Sequence, residues 1–192
     1  MANRSRPRQG TLKQSPIILS AVAIAALTGC SSVTHANNER GYTPETREVS
    51  EAKQEAKGIS NKILKAIDLQ GEVSKPGPGV SLCGEKEADK FYTIHHPWSL
   101  TGAPIEDMKR AMANLKEELS RNGWEIVNYG PDKSPSKSLE LVADSAKKKF
   151  SVNIHLYDET GHTKPNGPKP KIYVDLISAC FQVPAGKTVD QY

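Results

Sequence analysis

The feature that most constrains this chain is an apolar run at residues 17–27 (IILSAVAIAAL), which leads through Thr28 and Gly29 to Cys30. A helix that spans the hydrocarbon core of a membrane needs about 20 apolar residues, and this run is too short. A basic segment, residues 1–16, precedes it and small residues follow it, which is the layout of a secretory signal peptide. We therefore expect this N-terminal segment to be a signal peptide that is removed, so that only the rest of the chain folds.

The formal net charge of +4 belongs to this leader. Four basic residues lie before the apolar run, and no acidic residue accompanies them: Arg4, Arg6, Arg8 and Lys13. The remainder of the chain balances its 22 acidic residues with an equal number of basic ones. A protein body without excess positive charge has no overall field that steers it to polyanions, so we expect no nucleic-acid partner.

The segment Leu27-Thr28-Gly29-Cys30 resembles the lipobox of bacterial lipoproteins, in which a leucine, a small residue and a glycine or alanine precede a cysteine. The resemblance implies that signal peptidase II cuts before Cys30 and removes residues 1–29. It also implies that the Cys30 sulfur carries diacylglycerol, with palmitate among the acyl chains. Two acyl chains give stable anchoring where one gives marginal binding. We therefore expect the extracytoplasmic face of the cell membrane as the location, a flexible tether at residues 30–43 and one domain at 44–192.

Two further cysteines remain, Cys83 and Cys180. In a secreted chain a leftover pair favours one disulfide, which would pin the Gly- and Pro-rich loop around Cys83 to the last strand. A reactive thiol is the alternative. It is disfavoured because the sequence has no Cys-x-x-Cys motif and because an exposed free thiol oxidises outside the cell.

Helical periodicity marks two segments. The first is predicted to begin with Thr43 as N-cap and Pro44 at the first helical position and to stop near Gly71. Its apolar residues recur three or four apart and form one stripe: Val49, Ala52, Ala56, Ile59, Ile63 and Ile67. The second segment runs from about Pro104 to Asn122, with its own stripe of Ile105, Met108, Met112, Leu115 and Leu119.

Gly123 is predicted to stop the second helix, with Trp124 folding back onto Leu119. Residues 72–90 are expected to be a long loop, and residues 91–96 a strand that Pro97 closes. Four more strand candidates follow at residues 124–129, 139–144, 150–157 and 172–183. The order α-β-α-β-β-β-β predicts an α+β two-layer sandwich, with two helices on one face of a mainly antiparallel sheet of about five strands.

Patterns of catalytic or metal-binding residues are weak. His95 and His96 are neighbours on a predicted strand, so their side chains point to opposite faces. His155 lies on the wet face of another strand, and a cross-strand pair with one of the first two is geometrically possible. No carboxylate or thiolate set completes a zinc pattern, and the three Ser-x-x-Lys matches lack the companion motifs of penicillin-binding enzymes. We expect no metal, no cofactor and no catalytic residues.

Two segments are candidates for a surface that binds a ligand or a partner. The basic cluster Lys147–Lys149 is typical of a charged hairpin turn, with contact to anionic lipid or cell-wall polymer as the alternative. The segment His96-Pro97-Trp98-Ser99-Leu100 places a tryptophan after a proline. Trp98 either packs in the core or lines a pocket rim together with Tyr92. Tyr92, His96 and Trp98 are therefore the candidates for a ligand or partner surface.

The domain as a whole resembles the small lipoproteins of unknown function found in actinobacterial-type cell envelopes. Three segments besides the lipobox and the first helix carry the similarity: Pro76–Cys83, His96–Leu100 and Ser178–Phe181. The resemblance implies location and fold and brings no known activity. We expect a non-enzymatic, membrane-anchored domain that binds an envelope protein or a small or lipidic ligand. A structural or assembly factor that acts by protein contacts is the first alternative, and an envelope hydrolase is the second.

Overall fold

The computed structural model describes residues 42–74, 76–83, 88–159, 167 and 169–189, all within one compact unit, Ala36–Tyr192. This unit contains the helices α1, Val49–Ile67, and α2, Ile105–Arg121. Eight strands accompany them: β1 Glu72–Val73, β2 Gly79–Leu82, β3 Phe91–Thr101, β4 Glu125–Pro131, β5 Leu139–Ser145, β6 Phe150–Tyr157, β7 Lys171–Ser178 and β8 Phe181–Gln182. The predicted signal peptide and most of the predicted tether lie outside the described residues.

All eight strands belong to one sheet in the order β1-β3-β7-β6-β5-β4, and β2 and β8 also pair with β3. Every pair of named strands is antiparallel. The predicted α+β class is confirmed, whereas the predicted number of about five strands is wrong. Two of the missed strands, β1 and β2, lie in the segment predicted to be a loop, and the single strand predicted at 172–183 is divided into β7 and β8.

Pro97 does not close a strand, because β3 continues through it to Thr101. Along a strand, backbone groups of alternate residues point to the same side. Ile94 N donates to Ser178 Oγ on the β7 side, whereas Ser99 N donates to Ser74 Oγ on the other side. The nitrogen of Pro97 therefore faces the gap between β1 and β2. Neither strand pairs with β3 at this position, so the missing N–H of proline costs no backbone hydrogen bond of the sheet.

One face of the sheet forms the core with the two helices. Its side chains come from alternate positions of β3, β5, β6 and β7, and they share a single buried cluster with the stripes of α1 and α2. The cross-strand register places Trp98 opposite Val174 and Ile154 opposite Leu141 on this face. The predicted two-layer arrangement follows, since both helices bury their apolar stripes against the same side of the sheet.

Helix α1 begins later than predicted. Thr43 is not its N-cap, because residues 45–47 run extended beside β8 and exchange backbone hydrogen bonds with it. Arg47 N donates to Gln182 O at 2.8 Å, and Gln182 N donates to Glu45 O at 2.9 Å. Pairing with a strand that lies far away in the sequence thus overrides the local helix-start signal. The predicted apolar stripe is confirmed, with Ser60 added to its buried side.

Helix α2 matches its prediction to within a residue at each end. Gly123 follows the helix with a φ of +78°, a conformation that glycine adopts without steric cost. Trp124 N donates to Leu119 O at 3.0 Å and Gly123 N donates to Ser120 O at 3.1 Å. These two bonds form a Schellman motif, and both Leu119 and Trp124 are buried in the same cluster, as predicted.

A disulfide joins Cys83 to Cys180. Cys83 follows β2, and Cys180 lies in the short link between β7 and β8, so the bond ties the Gly- and Pro-rich segment to the end of the sheet as predicted. Cys180 N also donates to Tyr42 Oη at 2.8 Å. Tyr42, which lies in the predicted tether, is therefore already hydrogen-bonded to the domain.

Candidate functional site

The three side chains predicted as a ligand or partner surface are buried in the core. Tyr92 is fully buried, Trp98 is 4% exposed and His96 is 8% exposed. All three sit at alternate positions of β3 and point to the helix-covered face, so they do not form a surface. For Trp98 the other predicted role, core packing, is the correct one. Cys30, the predicted lipidation site, lies outside the described residues.

Tyr92 and His96 nevertheless tie distant segments together. The Tyr92 hydroxyl donates to Arg47 O at 2.9 Å, and burial raises the pKa of this phenol well above its usual value. His96 Nδ1 lies 2.9 Å from Ser60 Oγ, and its Nε2 lies 2.9 Å from Pro76 O. Because a carbonyl only accepts, Nε2 carries a proton, and Nδ1 is hydrogen-bonded to the Ser60 hydroxyl, which can donate or accept.

No helix in the described part of the chain packs on the opposite face of the sheet, and a polar cluster occupies its centre. His155 on β6 lies between two carboxylates, with Nδ1 3.5 Å from Asp132 Oδ2 and Nε2 3.5 Å from Glu140 Oε1. Asn153 and Asn128 donate to the two oxygens of Glu140 at 3.0 and 2.8 Å. Hydrogen bonds from Ser134 are the main cause that lowers the pKa of Asp132.

Histidine and tyrosine side chains extend this cluster, but the predicted possibility of pairing His155 with His95 is not realised. His95 Nε2 lies 2.5 Å from Asp175 Oδ1, and β7 separates its strand from that of His155. His155 stacks on Tyr157, with ring centroids 5.5 Å apart and an interplanar angle of 7°. Within the described ranges, no three histidine, cysteine or carboxylate side chains are placed to hold a metal ion.

A groove of about 690 Å³ lies on the helix side of the domain, between α1 and α2. Its apolar lining comes from the C-terminal halves of both helices and from the last residue of the Schellman motif, and all of it except Ala66 is buried in the core: Ile59, Ile63, Ala66, Leu119 and Trp124. The rest of the lining is charged or polar. Ligand pockets commonly have volumes of about 300–1,000 Å³. The groove is therefore large enough for a small molecule or an acyl chain.

The two sides of this groove differ in how their charges are satisfied. On α2, Arg121 forms salt bridges with both Glu117 and Glu118. On the other side, Lys62 and Lys65 of α1 have no salt bridge to any described residue, and Lys148 reaches in from the β5–β6 turn with its Nζ 5.1 Å from the Trp124 ring centroid. Burial, and next the nearby charge of Lys62, lowers the pKa of Lys148.

The groove brings together residues that the sequence predictions did not connect. The sequence predicts a charged hairpin turn at Lys148, and this residue does lie in the turn between β5 and β6. Lys62 lies beside the apolar stripe of α1, where lysine is ordinary. No motif or spacing in the sequence relates positions 62 and 148, because only the packing of the turn against the helix pair places them near each other.

Comparisons with protein-family models, with curated proteins and with solved structures find no match for this chain. Among the helices in the described part of the chain, none is long and apolar enough to cross a membrane.

Proposed function

We propose that this chain is a lipid-anchored, extracytoplasmic lipoprotein that binds a small or lipidic ligand and catalyses no reaction. The groove between α1 and α2 is the observation that carries the proposal. It combines a volume suited to a ligand with a mixed lining, in which charged and polar side chains surround a few apolar ones. Cys30 would hold the protein at the cell membrane through its diacylglyceryl group.

The disulfide supports the extracytoplasmic location. Disulfides persist in oxidising compartments and are rare in the reducing cytosol, and Cys83–Cys180 is the kind of structural bond expected there. A pair of cysteines bonded within the domain also leaves Cys30 as the remaining thiol of the sequence. This agrees with its role as the attachment point.

A protein partner on the uncovered sheet face is the second candidate, in keeping with a structural or assembly factor. Ile177 stands on this face beside the polar cluster and is 42% exposed. A partner that covers Ile177 would remove its apolar surface from water.

Anchoring is tested by membrane fractionation of the full-length chain and its Cys30→Ala variant. We expect the unsubstituted protein in the membrane fraction, extractable only with detergent, and the variant in the soluble fraction. An unchanged distribution of the variant would refute the lipid anchor.

Ligand binding is tested by native mass spectrometry of the protein extracted from its own membranes. We expect a small molecule to co-purify with the unsubstituted chain and to be lost from Ala66→Phe, which fills the groove floor. Asn61→Phe, which adds the same ring at an exposed position of α1, is the control and should retain the ligand. Absence of any bound molecule, or equal loss from both variants, would leave the protein-contact alternative.

A further inference from the structure

We propose that the turn between β5 and β6 docks the domain on the surface of an anionic lipid bilayer, through the ammonium groups of Lys147 and Lys149. This inference rests on the proposed lipid anchor and deepens it, because it states which end of the domain meets the membrane. The place where the anchored chain joins the domain, the charges of the turn and its backbone conformation support it.

The turn lies beside the point where the chain from the proposed anchor joins the domain. Cys180 N donates to Tyr42 Oη at 2.8 Å, and the N–H of the preceding residue, Ala179, donates to Lys149 O at 2.7 Å. Eleven residues, 31–41, separate Cys30 from Tyr42, and a chain of this length spans at most about 40 Å. A lipid on Cys30 would therefore keep this end of the sheet close to the bilayer.

The turn offers positive charge that the rest of the domain leaves unpaired. Lys147 and Lys149 are exposed, and neither forms a salt bridge with any described residue. Lys148 does not contribute, because it lies against the Trp124 ring and the charge of Glu55 acts on it. Each basic side chain near an anionic bilayer strengthens the contact about fivefold. For a domain that is already held at the surface, the encounter is intramolecular, so two such side chains are sufficient.

Two carboxylates at the same end of the sheet limit the direction from which the bilayer can approach. Asp144 on β5 and Glu125 on β4 are cross-strand partners, and both are exposed. They lie on the uncovered face, because Ala143 and Ser145, the neighbours of Asp144, are buried on the other. Residues 146–149 continue beyond the last residue of β5. The bilayer therefore meets the tip of the turn and not the uncovered face.

The backbone of the turn favours a residue other than lysine at its last position. Lys149 has a φ of +59°, in the left-handed region that glycine and asparagine adopt most readily. Its N–H donates to Ser145 O at 2.8 Å, which holds this conformation. A turn that served only to reverse the chain would be better built with glycine or asparagine here. The lysine therefore indicates a role for its side chain.

The experiment measures how fast a neutral acylating reagent modifies each lysine of the lipidated mature chain on vesicles, by peptide mass spectrometry. The vesicles contain either phosphatidylcholine alone or an equal mixture with phosphatidylglycerol. We expect acylation of Lys147 and Lys149 to slow severalfold, by up to about 25-fold, on the anionic vesicles alone. High salt should restore the rate, since it screens exposed charges. Lys57, exposed on α1, is the internal control and should react equally on both.

Two single variants with the same change in net charge sharpen the test. In Lys149→Asn the new residue accommodates the left-handed backbone, and the protection of Lys147 on anionic vesicles should fall about fivefold. Lys57→Gln removes one charge from α1 and should leave the protection of Lys147 unchanged. Thermal unfolding of both variants checks that the domain remains folded.

Four results would overturn the inference. A mature chain whose intact mass shows no lipid on Cys30 overturns the anchor and the docking together. Equal acylation of both turn lysines on the two vesicle types overturns the docking and leaves the anchor. Equal loss of protection in the two variants shows attraction by overall charge. Protection of the soluble Cys30→Ala chain by a glycerol phosphate polymer, without protection on vesicles, assigns the turn to a cell-wall polymer instead.

Discussion

The two faces of the sheet differ in what decides their side chains. On the helix-covered face, strand residues are large and apolar, and β6 contributes four of them: Phe150, Val152, Ile154 and Leu156. On the uncovered face the same strand contributes Ser151, Asn153, His155 and Tyr157, which are only partly buried. Because the first set is packed against the helices, the volume of each side chain decides whether it fits. The side chains of the second set are stabilised by hydrogen bonds and charge interactions.

The largest expected effect comes from replacing an isoleucine by alanine on each face of the sheet. Ile154→Ala on the covered face should lower the free energy of unfolding by about 2–5 kcal/mol, because it leaves a cavity in a closed core. Ile177→Ala on the uncovered face, where the side chain is 42% exposed, should cost about 1 kcal/mol or less. Urea unfolding measures both. Similar losses would show that a second layer covers the supposedly open face.

The second test asks whether the covered face is sufficient for stability without the disulfide. Replacing both Cys83 and Cys180 by alanine should cost about 2–4 kcal/mol, since the bond closes a long loop in the unfolded chain. Unfolding of the unsubstituted protein with and without reductant is the control, and the variant should be insensitive to reductant. If the variant unfolds at the same urea concentration as the oxidised protein, the bond is dispensable.

The third test concerns the polar pair within the covered face. Ser60→Ala removes the donor to His96 Nδ1 and should cost about 1–3 kcal/mol, because a buried acceptor then lacks its partner. Ser50→Ala, at an exposed position of the same helix, should be nearly neutral. Equal effects of the two substitutions on the thermal midpoint would mean that helix propensity, and not the bond to His96, explains the loss.

The smallest expected effect belongs to the uncovered face and depends on pH. Hydrogen bonds from Ser134 lower the pKa of Asp132 below 3.8 in the folded protein. The stabilisation from the charged carboxylate is therefore present above the ordinary pKa and is lost as the pH falls through the folded value. Asp132→Asn should reduce the urea midpoint slightly near neutral pH and hardly at all in strong acid. A difference that does not change with pH would exclude this charge effect.

The sequence predicted elements wherever a local pattern and the tertiary packing agree. The stripes of α1 and α2, the glycine stop at Gly123 and the alternation in β6 all reflect a single buried face per element. The strands β1 and β2 were missed because they are short and lie among prolines and glycines, so pairing with β3, and not an apolar pattern, defines them. The predicted start of α1 was wrong for the same reason, since residues 45–47 pair with β8.

The candidate sites were much less predictable than the fold. Tyr92, His96 and Trp98 were predicted to form a ligand or partner surface because they are aromatic or polar residues near a proline. The strand β3 instead continues through Pro97 and keeps all three side chains on its buried side. The partners of His96 lie 36 and 20 positions away along the chain. The lysines of the groove are 86 positions apart in sequence, and nothing local marks them as neighbours.

Sequence alone determined the α+β class, the two amphipathic helices and the pairing partner of each domain cysteine, because periodicity and cysteine number are properties of the chain. It also supplied the segment Leu27–Cys30, and the proposed anchor depends on the resemblance of this segment to a lipobox. Only the tertiary structure decided which face of β3 is buried, where Pro97 lies in the sheet and which lysines line the groove. These features depend on contacts between residues far apart in the chain, and no local pattern encodes such contacts.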